Sequence, residues 1–216
     1  RQEQQHYLDE LKKWKFYSDP QLAAPSIYEL WFDKLEYLLW DEFRVENLEL
    51  IYPPNYNTIR FIKEQPGHRF FDVKTTPEKE TLKDIIQQSL GLALDSLDNF
   101  QKKSGDISWA YFKGTSIQHL LATLKPFGKF KINIGGNKGI VNACSDRWGP
   151  SWRMVVSLEK ETKAFGIYPG GQSGNPGSPF YDNFVDKWAA GEYYELIFLK
   201  NPDESNPRLR SKQKLY

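Results

Sequence analysis

Ser173, in the run Gly171-Gln172-Ser173-Gly174, has the glycine-flanked setting of a nucleophilic serine. The spacing is wrong for one. An elbow serine needs G-x-S-x-G on a strand-to-helix turn, and here Gly174 follows the serine directly. Ser151, in Gly149-Pro150-Ser151-Trp152, lies in no elbow either. A serine also needs a base, and His6, His68 and His119 are too scattered along the chain to imply a relay or a metal site. No HExxH and no CxxC occurs, so there is no zinc signature. The stretch 169–179 is rich in glycine and proline but lacks the Lys-Ser/Thr end of a phosphate loop. Its prolines, Pro169, Pro176 and Pro179, fix backbone angles, and Gln172, Ser173 and Asn175 can bond to nearby backbone. An ordered loop is expected, with at least one of Gly170, Gly171, Gly174 and Gly177 at positive φ. Such a loop is either a plain turn or one that brings backbone close to a ligand or partner. Arg153 sits in an otherwise apolar run and is expected to be buried and paired, with a structural ion pair as the favoured arrangement. The single cysteine, Cys144, has an apolar flank and reads as a buried thiol.

Charge restricts the partners. With 29 basic and 28 acidic residues in 216, the chain has no field suited to nucleic acid. Arg208, Arg210, Lys212 and Lys214 form a short basic tail that reads as solvated. No apolar run approaches a membrane span, no signal peptide begins the sequence, and one cysteine allows no internal disulfide. A hydrophobic content of 39% is enough for a core, and the aromatic content of 15% is expected to serve mainly in packing.

The elements that would position these residues change character along the chain. Residues 2–15 carry Tyr7, Leu8, Leu11 and Trp14 on one helical face. Residues 26–43 predict a second helix, with Tyr28, Trp31, Leu35, Leu38 and Leu39 as its apolar stripe. Residues 59–62 fit helix or strand. A long helix is expected from Thr76-Pro77, with Thr76 as N-cap and Leu82, Ile85, Ile86, Ala93, Leu97 and Phe100 facing inward. Beyond Gly105, alternation in 130–134 predicts a strand, followed by a turn at 135–137 and strands at 140–144, 152–158, 163–168 and 194–199. A short helix through Tyr181, Phe184, Val185 and Trp188 should stop at Gly191. The implied organisation is α+β: a helical segment 1–105, an antiparallel strand segment 106–200 and a polar tail 201–216.

Several segments then converge on one family. Gly149-Pro150-Ser151-Trp152-Arg153-Met154-Val155-Val156 resembles a segment of the penicillin acylase family. So does the run from Pro169 through Ser173 and Asn175 to Tyr181, with Phe180 where the family usually has His. Trp188-Ala189-Ala190-Gly191-Glu192-Tyr193 is similar to the family's W-x-x-G-E-Y close. Phe71-Asp72 with Thr76-Pro77-Glu78-Lys79-Glu80-Thr81, and His119 ahead of Pro126-Phe127, look like further family features. The resemblance runs from about residue 8 to 200.

The resemblance implies a C-terminal part of the β-subunit of an N-terminal nucleophile hydrolase, whose fold sandwiches two antiparallel sheets between helix layers. Members cleave amide bonds of penicillins, acyl-homoserine lactones or related N-acyl substrates. They use a serine freed at the β-subunit's N-terminus, with its own α-amine as base and an Asn in the oxyanion pocket. Those residues, and the family's calcium site, would lie far upstream of the matched segments. Arg1 cannot be the nucleophile, so no catalytic residue, metal or cofactor is expected in this chain. The expected partners are the α-subunit and the N-terminal part of the β-subunit, in a periplasmic or secreted bacterial enzyme. Arg153, Gln172, Ser173 and Asn175 are expected to be structural or to line a pocket. Phe180, and Trp109-Ala110 where Trp-Gly is common, suggest a divergent branch. The alternative is a stand-alone, non-catalytic module that binds a peptide or glycan.

Overall fold

The computed structural model describes residues 4–46, 48–121 and 123–213. Arg1, Gln2 and Lys214 lie outside them. Six α-helices and five short strands are described, with most of the helix ahead of the three-stranded sheet: α1 (Gln5–Lys13), α2 (Ala24–Leu39), β1 (Arg44–Val45), β2 (Leu48–Glu49), α3 (Asn55–Glu64), α4 (Leu82–Ser104), α5 (Trp109–Lys113), β3 (Arg153–Ser157), β4 (Lys163–Ile167), α6 (Val185–Ala190) and β5 (Tyr194–Leu196).

Helices α2 and α4 pack along each other and organise the first half. Ile85, Ser89, Ala93 and Leu97 recur every four residues on α4 and are buried, the spacing of a single helical face. Against them α2 turns Ile27, Phe32, Leu35 and Leu39. Trp31 Nε1 donates to Ser89 Oγ at 3.1 Å, so the buried Ser89 hydroxyl of α4 has a partner from α2. Tyr7 fixes α1 to the same pair: its ring is buried with Ile27, Leu94 and Leu97, and its hydroxyl donates to Asp98 at 2.8 Å. Residues 59–62, open to either reading, fall inside α3.

The long helix does not begin at Thr76. Its N-cap is Thr81, in a capping box with Asp84. Residues 72–80 form a loop tied by two carboxylates instead. Asp72 Oδ1 accepts from the Glu80 N–H, Glu80 Oε2 accepts from the Val73 N–H, and the Thr76 hydroxyl donates to Glu80 Oε1 at 2.7 Å. The thirty or so residues beyond α5 correct the strand reading further. Neither 130–134 nor 140–144 is a strand, and among the described residues of this stretch the β-pairing is an isolated bridge, Ile117 to Lys129. Ile132 and Ile134 do point inward, but Lys131 adopts φ +53°, which breaks the extended run between them. Residues 137–144 close on themselves through Asn137 and Asn142, leaving Val141 at a fully exposed tip.

The remaining strands form one antiparallel sheet of order β3-β4-β5, with Arg153 opposite Ile167 and Phe165 opposite Glu195. Helix α6 covers one side of it. Ile167, Phe184, Val185 and Trp188 make a core there with Ile132, Ile134 and the buried Cys144. Gly191, at φ +75°, stops α6 where a left-handed cap is required.

Candidate functional site

The two motif-bearing segments meet helix α6, the first at Trp188 and the second at Phe184, the residue that precedes the helix. From the first, Gly149 lets the indole approach: a Cβ there would lie 2.7 Å from it. The Pro150 carbonyl accepts the indole N–H at 2.9 Å. Arg153 then closes the node. Its Nη1 donates to the Trp188 carbonyl at 2.6 Å, its Nη2 to Asn142 Oδ1 at 2.8 Å, and its guanidinium stands 5.5 Å from the Trp188 ring centroid. The expected pairing exists, but among the described residues the expected ion pair does not. Arg153 is half-buried, and its acceptors are a carbonyl and an amide. An apolar strand with both ends near loops offers backbone and amide oxygens in place of a carboxylate.

From the second segment, the Gly170 carbonyl accepts the Phe184 N–H at 3.0 Å, fixing the loop to the start of α6. The loop 169–179 is tied by a set of local bonds. Ser173 N–H donates to the Phe180 carbonyl, Ser173 Oγ accepts from the Asn175 N–H, and Asn175 Oδ1 accepts from the Gly177 N–H. Gly170 takes φ +94°, as the sequence led one to expect of at least one glycine. Gly171 is required for another reason: a Cβ would fall 2.2 Å from the Phe180 carbonyl oxygen. Gln172 takes no part in these bonds.

Two concavities flank the node. The smaller, about 250 Å³, is walled by the glycine-rich loop and brings Ser173 and His119 to one lining with Lys129, Asp182 and Tyr181. No hydrogen bond joins Ser173 to His119 among the described residues. His119 Nδ1 accepts from the Leu121 N–H at 3.1 Å, which leaves the proton on Nε2 in the neutral ring, and Ser173 Oγ is taken up by Asn175. Neither group is set up as a nucleophile–base pair. Ser151 is exposed and lines neither. The larger cleft, about 840 Å³, is bounded by Gly135, Gly136, Asn142, Arg153 and Met154. Behind it Lys113 donates its ammonium to the carbonyls of Ile134, Gly135 and Gly136 at 3.0, 2.7 and 3.2 Å. Desolvation holds its pKa below the usual lysine range. This lysine was not singled out from the sequence, and no local pattern marks it. Among the described residues, no group of three or more His, Cys, Asp or Glu side chains is placed to hold a metal ion. No described helix is long and apolar enough to cross a membrane.

The site is therefore a motif-built node in a mixed α/β chain whose helices precede its strands, the class of protein that this fold and these loops define. The penicillin amidase family model matches residues 1–204, and the chain belongs to that family. It is similar to proteins named acyl-homoserine lactone acylase QuiP. The match to that of Pseudomonas fluorescens strain Pf-5 is 28% identical over 165 residues, covering 73% of this chain and 20% of the relative. That of Pseudomonas aeruginosa PAO1 is 24% identical over 184 residues, covering 74% and 21%. The chain spans about a fifth of the length of these relatives.

Proposed function

We propose that this chain is the C-terminal part of an acylase that cleaves amide bonds of N-acyl compounds, and that its own role there is structural. Acyl-homoserine lactones, the class in the relatives' names, are the first substrates to try. In this reading the sheet β3-β4-β5 is one portion of a two-sheet sandwich between helix layers. The α-subunit and the N-terminal part of the β-subunit supply the rest, including the nucleophile and any calcium, in a periplasmic or secreted enzyme. Segments 1–105 and 106–200 belong to one structural unit, with 201–216 as a polar tail.

The observation that carries the proposal is strand β3. Met154, Val155 and Val156 are 55%, 52% and 39% exposed, so apolar side chains reach solvent on both faces of one strand. Its outer edge has no strand beside it among the described residues. A strand apolar on both faces is the pattern of a sheet interior, and an open apolar edge is one that proteins ordinarily cover. The glycine-rich loop would then wall a pocket shared with the rest of the enzyme.

The test is an assay of the 216-residue chain with a chromogenic N-acyl substrate, alone and co-expressed with the remainder of its parent polypeptide. No turnover alone and turnover on co-expression is the expected result. Turnover by the isolated chain that Ser173→Ala abolishes would place the nucleophile here and sink the proposal.

A further inference from the structure

Leaving a guanidinium half-buried without a counter-charge is costly. Arg153 is in that position. Of the five N–H donors of a guanidinium, one goes to the Trp188 carbonyl and one to Asn142 Oδ1, both neutral acceptors. No Asp or Glu among the described residues forms an ion pair with it. The remaining donors belong to a group that lines the 840 Å³ cleft. Asp19 is the acidic side chain in that lining, and its Oδ1 accepts from the Gln21 N–H at 2.9 Å. The Lys113 ammonium, held by the Gly135 and Gly136 carbonyls that form the cleft wall, adds a second positive charge behind it. Val141, Trp152 and Met154 supply apolar surface in the same lining, and all three are solvent-exposed.

We propose that this cleft is a carboxylate-binding site, in which Arg153 pairs with a carboxylate whose apolar remainder lies against Val141, Trp152 and Met154. The fork of a guanidinium matches the two oxygens of a carboxylate, and packing on Trp188 together with the two bonds to protein already fixes its plane. The carboxylate comes either from a free organic acid or from an Asp or Glu side chain of the longer polypeptide. The inference needs only the cleft and holds whether or not the parent is an acylase.

The probe is hexanoate, with hexanamide as its uncharged counterpart, titrated into the 216-residue chain. Binding is followed by tryptophan fluorescence and by the Arg153 Nε–H resonance. Hexanoate is expected to saturate, and hexanamide to bind at least about tenfold more weakly. Arg153→Lys keeps the charge but loses the fork, and should weaken hexanoate by about tenfold. Val141→Asp leaves the bonds of Arg153 to Trp188 and Asn142 untouched. It places a competing carboxylate at the cleft, so it too should weaken hexanoate while circular dichroism stays unchanged. Equal responses to acid and amide, or unaltered hexanoate binding in folded Val141→Asp, overturn the proposal. The same titration in the longer polypeptide separates the sources. Retained binding assigns the site to a free acid. An Arg153 Nε–H resonance already at its hexanoate-bound position without probe assigns it to a side chain of the polypeptide. A resonance that stays at the free position and does not respond to hexanoate there counts against the site.

Discussion

At the scale of single residues, the glycines of the two motif segments differ in what they are for, and the difference is measurable. Gly171 faces backbone: its Cβ would meet carbonyl oxygens of Phe180 and Tyr181 at 2.2 and 2.4 Å, and neither can rotate away. Gly149 faces the buried Trp188 indole at 2.7 Å. Gly174, two residues beyond Gln172, has open space and no positive φ. Gly171→Ala and Gly149→Ala should each destabilise by about 1–3 kcal/mol, the cost of overpacking, whereas Gly174→Ala should stay within about 0.5 kcal/mol. Urea midpoints of the three variants check this, and equal effects would show that composition rather than contact sets the loop's requirements. Arg153→Met belongs to the same scale. A buried ion pair would lose more. Here the half-buried side chain leaves one carbonyl and one amide oxygen unpaired, so a loss of about 1–3 kcal/mol is expected from unfolding curves. The residue types around Trp188 were legible in the sequence as motif members. Their convergence on one indole was not, because Gly149, Pro150 and Arg153 meet it only through tertiary packing.

At the scale of elements, the start of α4 shows how two similar local signals are decided. Thr76-Pro77 and Thr81 with Asp84 both offer a helix N-terminus in sequence. Thr81 has the reciprocal bonds, while Thr76 is drawn off by Glu80. Hydrogen bonds from the Thr76 hydroxyl hold the Glu80 carboxyl below its ordinary pKa, and the Thr81 hydroxyl does the same for Asp84. A carboxyl depressed in the folded state binds protons more readily when unfolded. Its stabilising contribution is therefore complete above the unfolded pKa, about 4, and is lost as pH falls through the depressed value. Protection of the amides in residues 73–84, taken relative to their intrinsic exchange rates, should fall below about pH 4, and Glu80→Gln should flatten that dependence. A Glu80→Gln profile identical to the parent's would remove Glu80 from the explanation. The same tension explains the strand segment. Alternation in 130–134 correctly reports that Ile132 and Ile134 turn inward, though Phe130 stays exposed, and a ladder also needs a partner. Positive φ at Lys131 and the closed loop 137–144 deny it one. Where the partner is sequential, as for β3 with β4 across a polar loop, pattern and structure agree.

At the scale of the whole molecule, closed apolar cores coexist with apolar side chains left exposed on and beside the sheet. The helical half has closed cores between α2 and α4. The sheet has one covered side, yet Val155, Leu158 and Phe198 are 52%, 88% and 63% exposed. A stand-alone peptide- or glycan-binding module would close its sheet edges, and β3 and β5 both stand at edges here. An uncovered apolar edge strand invites pairing with another copy. The isolated chain should therefore self-associate as concentration rises, through β3 rather than through the helices. Lysines on that strand oppose edge pairing by charge and by the desolvation an ammonium would suffer in a shared sheet. Met154→Lys with Val156→Lys places both on one face, leaving Arg153 and the pairing with β4 in place. Light scattering across a concentration series is expected to give oligomers for the parent chain and a monomer for the double variant, with an unchanged far-ultraviolet spectrum. On the proposed reading that the rest of an acylase covers this same edge, the two lysines should also prevent that assembly. A variant that still oligomerises, or that stays monomeric yet assembles normally, would locate the covering surface elsewhere and return β3 to the role of an ordinary surface strand.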